Sequence, residues 1–254
     1  MNKDYYNALA PYYRYIYQDW DKSVAKQAGD LDSIIKEFFG KKKDLLDVSC
    51  GIGTQSIGLA ELGYRVSASD ISAVEIRLAE KEARKRKLKI DFKISDMRKA
   101  SKAFRGSFDV VLSADNSIPH LLGVIDIARA FKEFHALLKP GGGCIISVRD
   151  YRNINKGKQK ELLNFRHIHD TPEGKIILFD LWQFDGHYYD LNTYLVKDSG
   201  KNQLKTVAMR SRYYCVTTDQ LKKLLKKAGF ANIQILKDRF FQEVLIAFKD
   251  DPND

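Results

Sequence analysis

Apolar positions along the chain fall into two periods. Leu31, Ile34, Ile35 and Phe38 recur at i, i+3, i+4 and i+7, one stripe of a helix over 23–39 that Gly40 and Lys41–Lys43 stop. Leu45, Leu46 and Val48 read as a short buried strand, which breaks into a turn holding Gly51 and Gly53. A helix over 54–62, closed by Gly63, leads to a second strand over 64–69 and a third helix over 73–86. That helix opens with Ser72-x-x-Glu75, a capping-box spacing. Ile90, Phe92 and Ile94 alternate as a third strand, and 108–113 is a fourth. The stripe Ile127, Phe131, Phe134, Leu138 marks a helix over 124–138. Lys139-Pro140-Gly141-Gly142-Gly143 predicts a stop and a turn before a fifth strand over 144–148. Thr217 with Gln220 caps a last helix, and two strands follow at 233–236 and 241–248. Strands that alternate with helices predict an α/β fold with a mostly parallel sheet.

Between 158 and 214 the pattern changes. Residues 175–183, 187–197 and 203–214 read as three strands joined at Asp185-Gly186 and Ser199-Gly200, an antiparallel meander set into the α/β pattern. The first 20 residues differ again, with six tyrosines (5, 6, 12, 13, 15 and 17) ahead of Trp20. They either pack an N-terminal helix on the domain or form a lid, since a phenol has an apolar face and a polar tip.

Composition narrows the function. With 254 residues and 44% hydrophobic positions the chain can build one large domain with an insertion. No apolar run approaches the length of a membrane span, and the N-terminus has no hydrophobic signal region, so no membrane role is expected. Cys50, Cys144 and Cys215 are scattered, without metal-ligand spacing, and fit a reducing cytoplasm. The net charge of +10 raises the question of nucleic acid. Its basic clusters, Lys41–Lys43 and the six basic residues of Lys81–Lys89, lack interleaved aromatics, which argues against that partner.

The chemistry concentrates where the first strand meets the glycine turn. A strand, a glycine turn and a helix start bring a ligand against bare backbone and unpaired N–H groups. The turn has no phosphate-loop lysine, and Ser56 stands where a dinucleotide fingerprint has its third Gly or Ala. Instead the pattern is Asp47-x-Ser49-x-Gly51-x-Gly53, with a second acid, Asp70, at the end of the next strand. That acid stands near the spacing at which a carboxylate meets a ribose hydroxyl pair.

These residues resemble motif I and the acidic loop of class I S-adenosylmethionine-dependent methyltransferases. The resemblance implies a Rossmann-like, seven-stranded, mostly parallel sheet flanked by helices, with the antiparallel β-meander inserted after the fifth strand. It implies S-adenosyl-L-methionine as donor, S-adenosyl-L-homocysteine as product, and no metal. It assigns donor contacts to Lys26, Asp47, Ser49, Gly51, Gly53, Asp70, Ile71, Asp96, Met97 and Ala114. Lys26 would meet the donor's carboxylate or stay solvated. Asp96 would accept from the adenine amine or cap a turn, and Met97 would cover the ring.

Two further stretches resemble glycine and sarcosine N-methyltransferases. Asn116-Ser117-Ile118-Pro119-His120-Leu121 is similar to their N-S-x-x-H-L, which places Asn116 beside the reacting amine. His120 either takes a proton or packs at a helix start. Val148-Arg149-Asp150-Tyr151 is similar to their H-R-N-Y, with Val and Asp replacing His and Asn. Arg149 either forks onto an acceptor carboxylate or pairs with Asp150. Tyr6 is a candidate catalytic residue from the tyrosine segment, and Arg212 and Tyr213 are candidate acceptor contacts from the meander.

The expected organisation is a helical lid over 1–30, a donor-binding domain over 31–157 and 215–250, and an inserted sheet over 158–214 that covers the acceptor. The expected activity is methyl transfer to a small-molecule amine, by a monomer or homodimer. An RNA methyltransferase, a non-catalytic donor-binding module and an amino-sugar methyltransferase are the competing readings.

Overall fold

The structure, a computed structural model, describes residues 3–152, 160–201 and 204–251. The expected boundary at 157/158, the start of a strand at Gln203 and the end of the tail lie outside these residues.

Seven strands form the main sheet: β1 (Asp44–Asp47), β2 (Arg65–Asp70), β3 (Asp91–Ile94), β4 (Phe108–Ser113), β5 (Leu138–Val148), β10 (Phe230–Leu236) and β11 (Glu243–Lys249). Their order is β10-β11-β5-β4-β1-β2-β3, parallel except for β11, which runs antiparallel to both neighbours. Successive side chains point to opposite faces. Leu45 packs with Leu31, Ile34 and Ile35 of helix α2 (Trp20–Phe39), while Leu46 packs with Phe131 and Phe134 of α6 (Val124–Leu137). Helices α3 (Thr54–Glu61) and α4 (Ala73–Lys85) join α2 on one side. The short α5 (Ala100–Ala103) and α7 (Thr218–Lys227) join α6 on the other. The sheet order reverses between β1 and β4, which opens a crevice at their carboxyl ends.

The chain enters through α1 (Lys3–Leu9) and a 3-10 turn over Ala10–Ile16. Helix α2 then runs unbroken across residue 30, so no break in structure marks the boundary expected there.

The inserted sheet has four strands, not three: β6 (Glu161–Thr171), β7 (Gly174–Asp185), β8 (Tyr188–Asp198) and β9 (Leu204–Tyr214), all antiparallel. The period-2 pattern misses β6 because the register shifts between Phe165 and His167, and a bulge resets which residues share a face. The turn expected at Lys139–Gly143 is also corrected. β5 runs through it, with a register shift against β4. A Cβ on Gly143 would lie 2.5 Å from the Ala247 carbonyl oxygen, so this glycine serves close strand approach.

Candidate active site

β1 delivers Asp47, and the chain turns through Gly51 (φ +54) and Gly53 (φ +93) into α3. A Cβ on Gly53 would meet the Ile57 side chain at 2.8 Å, so turn and helix fit only around a glycine. Asp47 is buried. It accepts from the Ser56 hydroxyl at 2.7 Å and from the Ser49 N–H at 3.1 Å, and burial pushes its carboxyl up to about 7. It therefore braces the turn from beneath, and Ser56, out of place in a dinucleotide fingerprint, is its partner. The Ser49 hydroxyl lies 3.1 Å from that of Ser113.

Asp70 ends β2 inside the turn. Its carboxylate accepts from Gly51 N–H at 3.1 Å and Ser72 N–H at 2.9 Å. Only half of the expected capping box forms. The Ser72 hydroxyl accepts from Glu75 N–H at 3.2 Å, but the Glu75 side chain turns inward. Glu75 is 1% exposed, and its carboxyl oxygens have no hydrogen-bond partner among the described residues. Burial, then the charge of Asp70, pushes its carboxyl well above the usual range. It lies against Gly51, and reading it as a helix cap hid this position.

Ile71 is half-buried, Met97 is buried at the start of a 3-10 turn (Met97–Lys99) that follows β3, and Ala114 is buried just past β4. Asp96 accepts from Arg98, through both N–H and guanidinium, and these bonds hold its carboxyl below the usual range despite burial. Lys26 is exposed on α2 and pairs with Asp30 at 2.6 Å, apart from the turn.

The tyrosine segment lies across this crevice. Tyr13 approaches Gly51, and Tyr17 donates to Asp115 at 3.2 Å. Trp20 donates to Thr54 at 3.1 Å, and Asn7 accepts from Ser72 at 2.7 Å. The Tyr6 hydroxyl sits 2.5 Å from His120 Nε2, while Nδ1 lies 3.3 Å from the Ser211 hydroxyl. Burial, the largest cause, lowers His120 to about 3, so its ring is neutral and a very weak base. Of the two sequence expectations for His120, packing fits this environment.

Beyond β4, Asp115 and Asn116 both adopt left-handed backbone (φ +55 and +62), a strained placement for non-glycine residues. Asn116, expected to face an amine, is engaged within the chain. Its oxygen accepts from Arg149 N–H at 3.0 Å, and its amide donates to the Tyr151 hydroxyl at 2.8 Å. Arg149, at the end of β5, does not pair with Asp150, which binds Arg152 instead. Its guanidinium lies 4.6 Å from the Trp182 ring centre, donates to Tyr189 at 3.1 Å, and has no ion-pair partner among the described residues. An open groove of about 650 Å³ begins there, lined by Tyr17, Asp115, Arg149 and Arg166.

The inner face of the inserted sheet roofs the site with a column of rings. Trp182 stacks on Tyr189 (4.9 Å), Tyr189 on Tyr213 (4.8 Å), and Tyr213 meets His120 at 3.9 Å. Arg212, the neighbour of Tyr213, points to the opposite face. There it pairs with Asp185 and lies 3.8 Å from Asp190, so it does not reach the groove. Adjacent strand residues cannot both line one pocket. Tyr151, the last residue of the Val148–Tyr151 stretch, joins the site, and so does Tyr189, which no motif marks.

Among the described residues no helix is long and apolar enough to cross a membrane. Seven strands in this order, with one reversed strand and a second sheet after β5, form the class I methyltransferase fold, and residues 45–142 match a family model described as a methyltransferase domain. The proteins it resembles include amino-acid, amino-sugar and ubiquinone-pathway methyltransferases. A glycine/sarcosine N-methyltransferase of Parasynechococcus marenigrum (strain WH8102) is 30% identical over 139 residues, 55% of this chain and 49% of that protein. The chain thus spans about half the length of that relative. A second one, from Aphanothece halophytica, is 26% identical over 93% of this chain and 84% of its own length. The solved structure of CalS10 with SAM bound, an amino pentose methyltransferase of Micromonospora echinaspora, superposes with a TM-score of 0.76. It is 16% identical and covers 89% of this chain and 92% of its own.

Proposed function

We propose that the chain transfers a methyl group from S-adenosyl-L-methionine to the amine of a small molecule that also bears a carboxylate, and releases S-adenosyl-L-homocysteine. The observation that carries this reading is Arg149: a guanidinium braced by Trp182 and Tyr189, at a groove mouth shared with Asp115, and in no ion pair among the described residues. A fork of this kind suits a carboxylate. The names of the glycine/sarcosine relatives support the same acceptor class.

The residues fit the donor. Gly51 leaves bare backbone beside Glu75, whose buried carboxyl oxygens meet no hydrogen-bond donor among the described residues, and an N–H or O–H of the ligand would satisfy them. Asp70 would hold the ribose hydroxyls, with Ile71 beside it; Asp96 and Met97 would hold the adenine. When bound, the donor supplies an activated methyl group with its own leaving group. The chain's residues then orient the acceptor and exclude water. Asn116 positions the Arg149 backbone. Tyr6 donates to neutral His120, which leaves phenol lone pairs to accept from an amine N–H and aim its lone pair. The tyrosine segment works as the lid that closes over both ligands.

The likeness to an amino pentose methyltransferase supports a second reading, an amino-sugar acceptor, in which Arg149 holds no carboxylate. Transfer of labelled methyl from the donor to glycine, sarcosine, dimethylglycine, amino sugars, hydroxyl compounds and bulk tRNA separates them. Label on an amino acid is the expected result. Label on a carboxylate-free amine removes the Arg149 role, and label on tRNA alone overturns the acceptor class.

A further inference from the structure

β6 carries one residue more than the strand beside it. Phe165 pairs with Phe179 and His167 with Leu178, so Arg166 stands in the bulge with no residue opposite it on β7. A bulge sets two residues against one and re-aims a side chain. Phe165 and Ile168 flank the bulge on the outer face, 60 and 52% exposed. Arg166 and His167 both face inward: Arg166 bonds the fully buried Asp180, and His167 bonds the Ile16 backbone. The extra inward residue is thus a guanidinium.

That guanidinium lines the same groove as Arg149. Its Nε donates to Asp180 at 2.5 Å, and Asp180 also accepts from the Thr193 hydroxyl at 2.9 Å. The two Nη atoms, the open end of the fork, have no hydrogen-bond partner among the described residues. Burial acts against this cation, Asp180 holds it, and the charge of Arg149 acts against it in turn. Of the groove's acids, Asp115 accepts from Tyr17 and Gln242 at 3.2 Å each, while Asp150 and Glu243 pair with Arg152. None of them pairs with Arg149 or Arg166 among the described residues. Two guanidiniums, one from the main sheet and one from the roof, therefore meet at one groove, and only one of them has an anion. Buried charges are held by partners.

We propose that Arg166 is a second specificity-determining residue for the acceptor, whose carboxylate lies between Arg149 and Arg166 with an oxygen toward each fork. The proposal rests on the reading of Arg149 given above. A carboxylate has two oxygens and about four lone-pair sites, enough to accept from both forks at once. Each such bond is charge-assisted. Asp115, on the same groove, repels that carboxylate and attracts an amine, so the acceptor lies with its amine turned away from the arginines. Asp180 is the positioning residue: it takes Nε and leaves the Nη end of Arg166 for the acceptor.

Transfer of labelled methyl to glycine and to glycinamide tests this, with circular dichroism as the fold control. The proteins compared are the wild type, Arg149→Ala, Arg166→Lys, and Arg166→Met combined with Asp180→Leu. Arg166→Lys keeps a cation beside Asp180 and removes the fork. The double variant removes the pair without stranding a buried charge. In both, the KM for glycine is expected to rise about tenfold or more, while kcat and the affinity for S-adenosylhomocysteine change little. The preference for glycine over glycinamide, as a ratio of kcat/KM, is expected to fall by the same factor. An arginine that only neutralised Asp180 would leave this ratio at its wild-type value, and that result overturns the proposal even where melting falls. A ratio lost in Arg149→Ala but kept in both Arg166 variants overturns this inference alone. A wild type without the preference overturns the reading of Arg149 and this inference with it.

Discussion

The glycine turn after β1 and the inserted sheet build the same site by different means. In the turn, a few adjacent residues decide the geometry: Gly51 and Gly53 allow the backbone, and Asp47 and Asp70 tie it to both strands. In the inserted sheet, no adjacent residues carry the site. Trp182, Tyr189 and Tyr213 meet only because three strands share a register, and a single step along β9 takes Arg212 to the other side. Under the proposed function, local motifs therefore mark the donor half of the site, and strand register decides the acceptor half.

Substitutions that separate the halves test this contrast. The largest effect is expected from Asp70→Ala. Loss of two charge-assisted bonds to a ribose should weaken binding of S-adenosylhomocysteine about a hundredfold or more, read by titration calorimetry. Arg149→Ala should raise the acceptor KM about a hundredfold while the donor affinity holds. If Arg149→Ala abolishes donor binding, the end of β5 belongs to the donor half and the division fails. Tyr6→Phe should lower kcat about tenfold, the worth of one oriented hydrogen bond, with both binding constants little changed.

A subtler effect comes from His120. Burial depresses its pKa from 6.5 to about 3, so between these values the folded chain binds fewer protons than the unfolded chain. Its contribution to stability is present above about 6.5 and is lost as pH falls toward about 3. The raised carboxyl of Asp47 acts in the opposite sense, losing stability as pH rises through about 7. The informative quantity is therefore the difference between wild type and His120→Asn. The melting temperature of the wild type should fall more steeply on acidification. Equal slopes would place the His120 ring in water.

The smallest effect is the sharpest test of register. Arg212→Ala should leave kcat and acceptor KM within a factor of two, about 0.5 kcal/mol. Tyr213→Ala, one residue on, should impair the acceptor half.

The contrast also explains what could be read from the chain alone. The seven strands and the acid pair Asp47 and Asp70 were legible because each sits in a short, periodic stretch with a glycine or a cap beside it. β6 was not, because its bulge breaks the alternation. The run Lys139–Gly143 looked like a turn because glycines signal one, yet here they serve strand contact. Lys26 was chosen by spacing, and spacing does not reveal that Asp30 already holds it one turn along α2. Glu75 fits a capping pattern, and only burial shows its side chain turned toward Gly51. Asn116 was expected to face an amine, and its bonds to Arg149 and Tyr151, from contacts 33 and 35 residues away, were not visible in the sequence.

The most direct measurement compares glycine with glycinamide as acceptors, in wild type and in Arg149→Ala, through kcat/KM with labelled donor. The account predicts that the wild type prefers the carboxylate strongly and that the variant loses that preference by losing activity on glycine alone. An equal loss on both acceptors, or no preference in the wild type, would contradict a carboxylate held at Arg149.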